Sequence, residues 1–241
     1  MCTVVCRWRP DEQWPVQILA LRDELASRAF DLPDQWWPQQ PAVVGGRDRA
    51  AGGTWCASDP ATAVSAVVLN RPEPRLAAAG APSRGMLPLA AVRYQERWPE
   101  YLDVKGMAGF NLVLVTPGQA RWWWFDGEEM QGARLRPGVS MFTPRGERAD
   151  VDPRLLTGAA RLVDPVATAS EVWRDWLPVV EEAEPTADPN ALIVRKPVGD
   201  DSYETVFAQF IASAPGRLRL DYLPHPASGH TVGWTTRRWP A

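Results

Sequence analysis

Apolar residues in this chain gather in short continuous runs more often than in alternating ones. "TVVCRW" (3–8) and "VQILAL" (16–21) read as two strands joined through the turn-forming "RPDEQWP", a hairpin with a long loop. "AVSAVVLN" (63–70) carries no polar alternation, the pattern of a strand covered on both faces. "FNLVLVTPGQARWWWFDG" (110–127) is a pair of strands around "TPGQ", and the arm "EEMQGARLRPGVSMFTP" is expected to extend the same sheet. Helical spacing appears twice. "LPLAAVRYQERWPEYL" (87–102) is one helix. "ATASEVWRDWLPVVEEAE" (167–184) is the other, capped by Thr168 or Ser170, with a kink expected at Pro178. "NALIVRK", "YETVFAQFIAS", "RLRLDYLP" and "TVGWTT" return to strand character, whereas the Pro-, Gly- and Trp-rich stretch from Asp31 to Asp59 reads as a long ordered loop.

That order, strands–helix–strands–helix–strands, fits one α+β domain over residues 1–241 in which helices cover antiparallel sheets. Strands apolar on both sides need a cover on both sides. Stacked sheets between helical layers supply it.

Composition narrows the function classes. The net charge of −3 argues against a nucleic-acid or anionic-membrane surface. Of the 26 basic residues only Lys105 and Lys196 are lysines, and the arginines are scattered. The cysteine count is odd, and no secretory signal heads the sequence, which together point to a reducing, cytoplasmic setting. No segment approaches the ~20 apolar residues of a membrane span. Oligomeric state cannot be read from the chain.

Candidate chemistry starts at the N-terminus. Removal of Met1 would leave Cys2 with a thiol and a free α-amine, a weak base that titrates near ~8. An adjacent amine is one way of activating such a nucleophile. Alternatively Cys2 is only a small apolar residue heading a strand. Cys6 shares its strand face, but four residues of strand separate their Cα atoms by roughly 13 Å, too far for a disulfide. Cys6 and Cys56 read as core. His225 and His230, the only histidines, do not lie at zinc spacing with the cysteines, so no metal or cofactor is expected. The glycines of "GGRDRAAGGTW" form no phosphate loop and are read as turn residues with positive φ. In "WWW", Trp122 and Trp124 should share a face opposite Trp123, as core packing or as the wall of a ligand groove.

Six stretches occur in a telling order: "MCTVV" at 1–5, "LALRDE" at 19–24, "GGRDRAAGGTW" at 45–55, "AVVLNRP" at 66–72, "SRGMLPL" at 83–89 and "GFNLVL" at 109–114. Together they resemble the NRDE family, also known as the transport-and-Golgi-organisation family, over roughly the first 115 residues. The family looks like the N-terminal nucleophile hydrolases, which implies a four-layer αββα sandwich of two stacked, mainly antiparallel sheets. Carried over, the resemblance implies Cys2 as nucleophile with its amine as base, Arg22 and Asp23 as a neighbouring charged pair, and Asn70 as an oxyanion donor. Trp55, Asn111 and Thr143 are the implied substrate-binding residues, and a linear amide or related acyl compound is the implied substrate.

The sequence departs from the family pattern in two places. Leu21 stands where the signature tetrapeptide begins with asparagine, and "FTPRG" (142–146) stands where relatives often carry a serine–asparagine pair, with Thr143 in place of the asparagine. Adjacent strand residues also point to opposite faces, so Arg22 and Asp23 meet one site only where the strand ends or bulges. Otherwise Arg22 and Glu24 form a plain surface pair. A second reading follows from the family's association with lipid homeostasis and haem trafficking: a non-catalytic carrier or chaperone for a hydrophobic ligand, haem or an acyl chain.

Overall fold

The structure, a computed structural model, describes residues 2–72, 77–147, 162, 171–228 and 233–239. Two antiparallel sheets lie face to face. The first takes β1 (Thr3–Trp8), β2 (Val16–Leu25), β10 (Gly138–Thr143), β11 (Gly146–Glu147), β12 (Arg195–Val198), β13 (Asp201–Ala214), β14 (Arg217–Pro224) and β15 (Thr235–Trp239). Its order is β11-β10-β1-β2-β13-β14-β15, with β12 on β13. The second runs in sequence order: β3 (Phe30–Asp34), β4 (Val44–Asp48), β5 (Cys56–Asp59), β6 (Val64–Asn70), β7 (Phe110–Thr116), β8 (Gln119–Phe125) and β9 (Met130–Arg134).

The continuous apolar runs are explained by where alternate residues go. Val4, Cys6, Ile18, Ala20, Val67, Leu69, Val113 and Val115 fill the space between the sheets. Their neighbours Val5, Leu19 and Leu21 face outward from the first sheet against Trp173, Trp176, Val179 and Val180 of α2 (Trp173–Glu181). Ala66, Val68, Leu112 and Leu114 face outward from the second sheet against Leu87, Leu89 and Val92 of α1 (Met86–Tyr94). The central strands are therefore sandwiched between another sheet and a helix, and polar alternation there would leave a polar side chain buried without a partner. The architecture is the four-layer αββα sandwich.

Several local expectations need correction. Residues 31–59 are not one loop but the strands β3, β4 and β5 with their connections. The arm after Phe125 is divided: β9 pairs β8 in the second sheet, and β10 crosses to pair β1 in the first. The first helix stops at Tyr94, where Gln95 has φ 50°, and continues as a 3₁₀ helix through Glu100 with Pro99 inside it. The second helix begins at Trp173; its expected caps, Thr168 and Ser170, lie outside the described residues, as does His230. Trp122 stacks near Trp124 at 4.3 Å while Trp123 packs into the layer below the second sheet, the expected division of faces. All three cysteines are free. Among the described residues no helix is long and apolar enough to cross a membrane.

Candidate functional site

Cys2 lies just ahead of β1, whose central place between β2 and β10 fixes where the first residues go. A cavity of about 170 Å³ opens beside it. The end of β2 contributes Arg22, Asp23 and Glu24; the turn after β4 contributes Asp48, Ala51, Thr54 and Trp55; β6 contributes Val68 and Asn70; and the approach to α1 contributes Ser83, Arg84 and Gly85. Arg28 completes the wall.

Arg22 and Asp23 both border this cavity, at a point where the sheet is irregular, but they do not pair: Arg22 meets Asp48 and Glu24, and Asp23 meets Cys2 through its backbone carbonyl. On β13, Thr205 pairs with Asp23 but Phe207 pairs with Arg22, so Val206 is an extra residue opposite the Arg22–Asp23 bond. Such a bulge bends the strand and raises its twist. Asp23 is held on one side by the Thr205 hydroxyl, which donates to its Oδ1 at 2.7 Å while itself accepting from the Val194 N–H at 3.0 Å. Its carbonyl oxygen faces the other side. The Cys2 thiol donates to that carbonyl at 3.9 Å, and the Tyr203 hydroxyl donates to it at 3.2 Å. Burial pushes the Cys2 thiol above its ordinary range, the Asp23 charge adds to this, and Arg22 pulls partly back.

Arg22 is buried against aromatic rings. Its guanidinium lies 4.6 Å from the Trp55 ring centre and 5.6 Å from that of Phe30. Its Nη2 donates to Asp48 Oδ2 at 3.1 Å, Glu24 stands at 3.9 Å, and its Nη1 has no hydrogen-bond partner among the described residues. Asp48 also accepts from Arg28 at 2.7 Å and 3.2 Å and from the backbone N–H groups of Ala50 and Ala51. Burial pushes the Asp48 carboxyl up, yet the Arg28 hydrogen bond, the Ala51 N–H and the two arginine charges outweigh it and hold it below its usual range. Burial lowers the Arg22 guanidinium, offset in part by Glu24, Cys2 and Asp48.

Two glycine loops meet at the cavity wall. A Cβ on Gly53 would lie 2.5–2.7 Å from the backbone of Gly85, and the Thr54 N–H donates to the Gly85 carbonyl at 2.9 Å. A Cβ on Gly46 would lie 2.4 Å from the Trp55 ring. In "GGRDRAAGGTW" the glycines thus serve mainly close approach; of its four, only Gly52 has positive φ, at 71°.

The structure gathers Cys2, Arg22, Asp23, Asn70 and Trp55 around one cavity, and sets Asn111 and Thr143 apart from its lining. Asn111 is fully buried between the sheets. Its amide donates to the Pro144 carbonyl at 2.9 Å and to that of Thr143 at 3.4 Å, and its Oδ1 accepts from Trp122 Nε1 at 3.1 Å. Those bonds join β7 to the β10–β11 turn. Asn70, by contrast, is exposed at the end of β6, and no hydrogen bond joins its side chain to another described residue. Arg28, Asp48, Thr54, Ser83 and Arg84 were not singled out from the sequence. Their signal was present: Asp48 and Thr54 stand in "GGRDRAAGGTW" and Ser83 and Arg84 in "SRGMLPL". Among the described residues no group of three or more His, Cys, Asp or Glu side chains is placed to hold a metal ion.

The family model for transport and Golgi organisation 2 matches residues 1–170. No curated protein matches the chain.

Proposed function

Since the chain belongs to the transport and Golgi organisation 2 family, we propose that it is a cysteine hydrolase of the N-terminal nucleophile type, cleaving a small linear amide or related acyl compound at Cys2. The observation that carries this reading is the position of the Cys2 thiol in a cavity shared with Arg22 and with the exposed, uncommitted amide of Asn70. Residues 1–241 act as one domain in this proposal, because β13, from the last third of the chain, pairs with β2 and makes the bulge beside Arg22.

The chemistry follows from what each group can do. With Met1 removed, the α-amine of Cys2 takes the thiol proton as the sulfur forms a bond to the substrate carbonyl carbon. The carbonyl electron pair moves to oxygen, where the Asn70 amide donates to it. A preorganised donor of this kind contributes about 2.7–4 kcal/mol. The protonated amine then passes its proton to the leaving nitrogen as the C–N bond breaks, leaving a thioester. Water, deprotonated by the same amine, attacks the thioester; the acid departs and the thiol is restored. Arg22 favours the thiolate by its charge, and Asp48 and Trp55 hold Arg22 in place. The raised Cys2 thiol is consistent with this division of labour: the resting sulfur is protonated and needs a base at the moment of attack.

The carrier reading receives less support. A cavity of about 170 Å³ bounded by Arg22, Arg28, Arg84, Glu24 and Asp48 is small and strongly polar for haem or a long acyl chain. The deciding experiment is labelling with a broad acyl electrophile. A single adduct on Cys2 of protein lacking Met1, abolished by Cys2→Ser, is expected. Retention of Met1 throughout, or modification without preference for Cys2, defeats the proposal.

A further inference from the structure

The cavity beside Cys2 holds three guanidinium groups, and their partners differ. Arg28 is paired with Asp48 through two hydrogen bonds, with Glu24 at 3.7 Å. Arg22 shares Asp48, but its Nη1 has no partner among the described residues although Arg22 is only 6% exposed. Arg84 has no carboxylate within ion-pair distance among the described residues. Its side-chain hydrogen bond there runs from Nη1 to the neutral Gly109 carbonyl at 2.9 Å.

A guanidinium carries five donors in a planar fork suited to a carboxylate. A half-buried cation without an anionic partner is costly, and a ligand anion relieves that cost. Burial already depresses the Arg84 guanidinium, offset only in part by the charges of Cys2 and Glu24. The Gly53–Gly85 crossing fixes the backbone next to Arg84, so the cation is presented from a braced loop.

We infer that Arg84, assisted by Arg22 Nη1, anchors a carboxylate of the ligand, so that the cavity takes small anionic amides in preference to neutral ones. The inference deepens the hydrolase reading and rests on it for the word substrate, but the anion preference itself needs no reaction. Size agrees with it. A cavity of about 150 Å³ holds a benzene ring, and the volume of about 170 Å³ here suits a short acyl amino acid. Of the other acids on the wall, Glu24 lies toward Arg22 and Arg28 at 3.9 Å and 3.7 Å, and the Asp23 carboxylate accepts from the Thr205 hydroxyl at 2.7 Å.

The test uses N-acetylglycine and N-acetylglycinamide, which match in size and differ by one charge. Binding to the Cys2→Ser protein is measured by calorimetry, so no turnover interferes. The acid is expected to bind at least about tenfold more tightly than the amide, as charge-assisted hydrogen bonds imply. Arg84→Gln should erase that preference and Arg84→Lys should restore part of it. In the unsubstituted protein the acid, and not the amide, should slow alkylation of Cys2 by iodoacetamide; this arm needs no folded Arg84 variant. Equal binding of the two probes, binding of neither, or a preference that survives Arg84→Gln overturns the inference. A charge preference without acyl labelling of Cys2 would leave the anion site standing and remove the hydrolase. Labelling of Cys2 without charge preference would do the reverse.

Discussion

Replacing Gly53 by alanine tests the loop crossing that frames the cavity. The added Cβ would meet Gly85 C, O and Cα at 2.5, 2.6 and 2.7 Å. Those atoms are backbone and cannot rotate aside, and the contacts fall about 1 Å short of ordinary separation. The loops must part. Overpacking of this kind costs about 1–3 kcal/mol, and loosening the Thr54 N–H bond to Gly85 adds about 1 kcal/mol. A loss of about 2–4 kcal/mol is expected, measured as a fall in the urea midpoint at unchanged slope. Two other glycine substitutions calibrate it. Gly118→Ala meets nothing within 4 Å and should stay within about 0.5 kcal/mol of the parent. Gly52→Ala also meets nothing within 4 Å but has φ 71°, so it should lose about 1–2 kcal/mol through backbone strain alone. A Gly53→Ala protein as stable as Gly118→Ala would refute the reasoning, because the close approach would then carry no energetic weight.

Other outcomes can be stated more briefly. Asp48→Ala leaves the buried Arg22 without its nearest carboxylate and should cost about 3 kcal/mol in denaturant unfolding, near the low end for a broken buried pair because Glu24 is at hand; a loss below about 1 kcal/mol would contradict it. The folded Asp48 carboxyl titrates below its unfolded value, so its stabilisation is present above the ordinary carboxylate range near ~3.9 and fades as pH falls through the folded value. The urea midpoint should drop in that window, and less steeply in Asp48→Asn. Native alkylation should find Cys2 first, since burial pushes Cys6 up to about 12 and Cys56 upward as well. Its rate should rise with pH as the thiolate forms. Asn111→Ala should destabilise by about 1–3 kcal/mol through its lost inter-sheet bonds, and calorimetry with N-acetylglycine should show unchanged affinity.

The sequence was most readable where burial alone sets the pattern. β1 coincides with "TVVCRW" because every residue in it is buried, and β6 and β7 follow the same logic. The strands between Asp31 and Asp59 were hidden by their own chemistry. "VGGRD" and "CASD" lack the usual strand residues, partly because Gly45 must admit the Cys56 carbonyl and Gly46 the Trp55 ring. The crossing from β9 to β10 depends on which sheet offers a free edge, which no local pattern states. That Arg22 and Asp23 border one site only beside an irregularity was legible as a condition, but the irregularity comes from Val206, far along the chain, and the carboxylate that Arg22 meets is Asp48. Asn70 and Asn111 look alike as letters. They differ because one ends a strand at the cavity while the other is taken up by the carbonyls of Thr143 and Pro144.

The setting of β1 between two partner strands has a practical side for anyone producing this protein. Thr3 and Val4 are already held in the sheet and Cys2 lines the hollow, so a fusion partner or affinity handle attached ahead of Cys2 is tethered directly at that hollow. It would also convert the nitrogen of Cys2 into an ordinary amide. Preparations carrying a leading handle can therefore fold normally and still be mute in any assay of this site, whereas β15 forms the far edge of the sheet and is the safer place for a label.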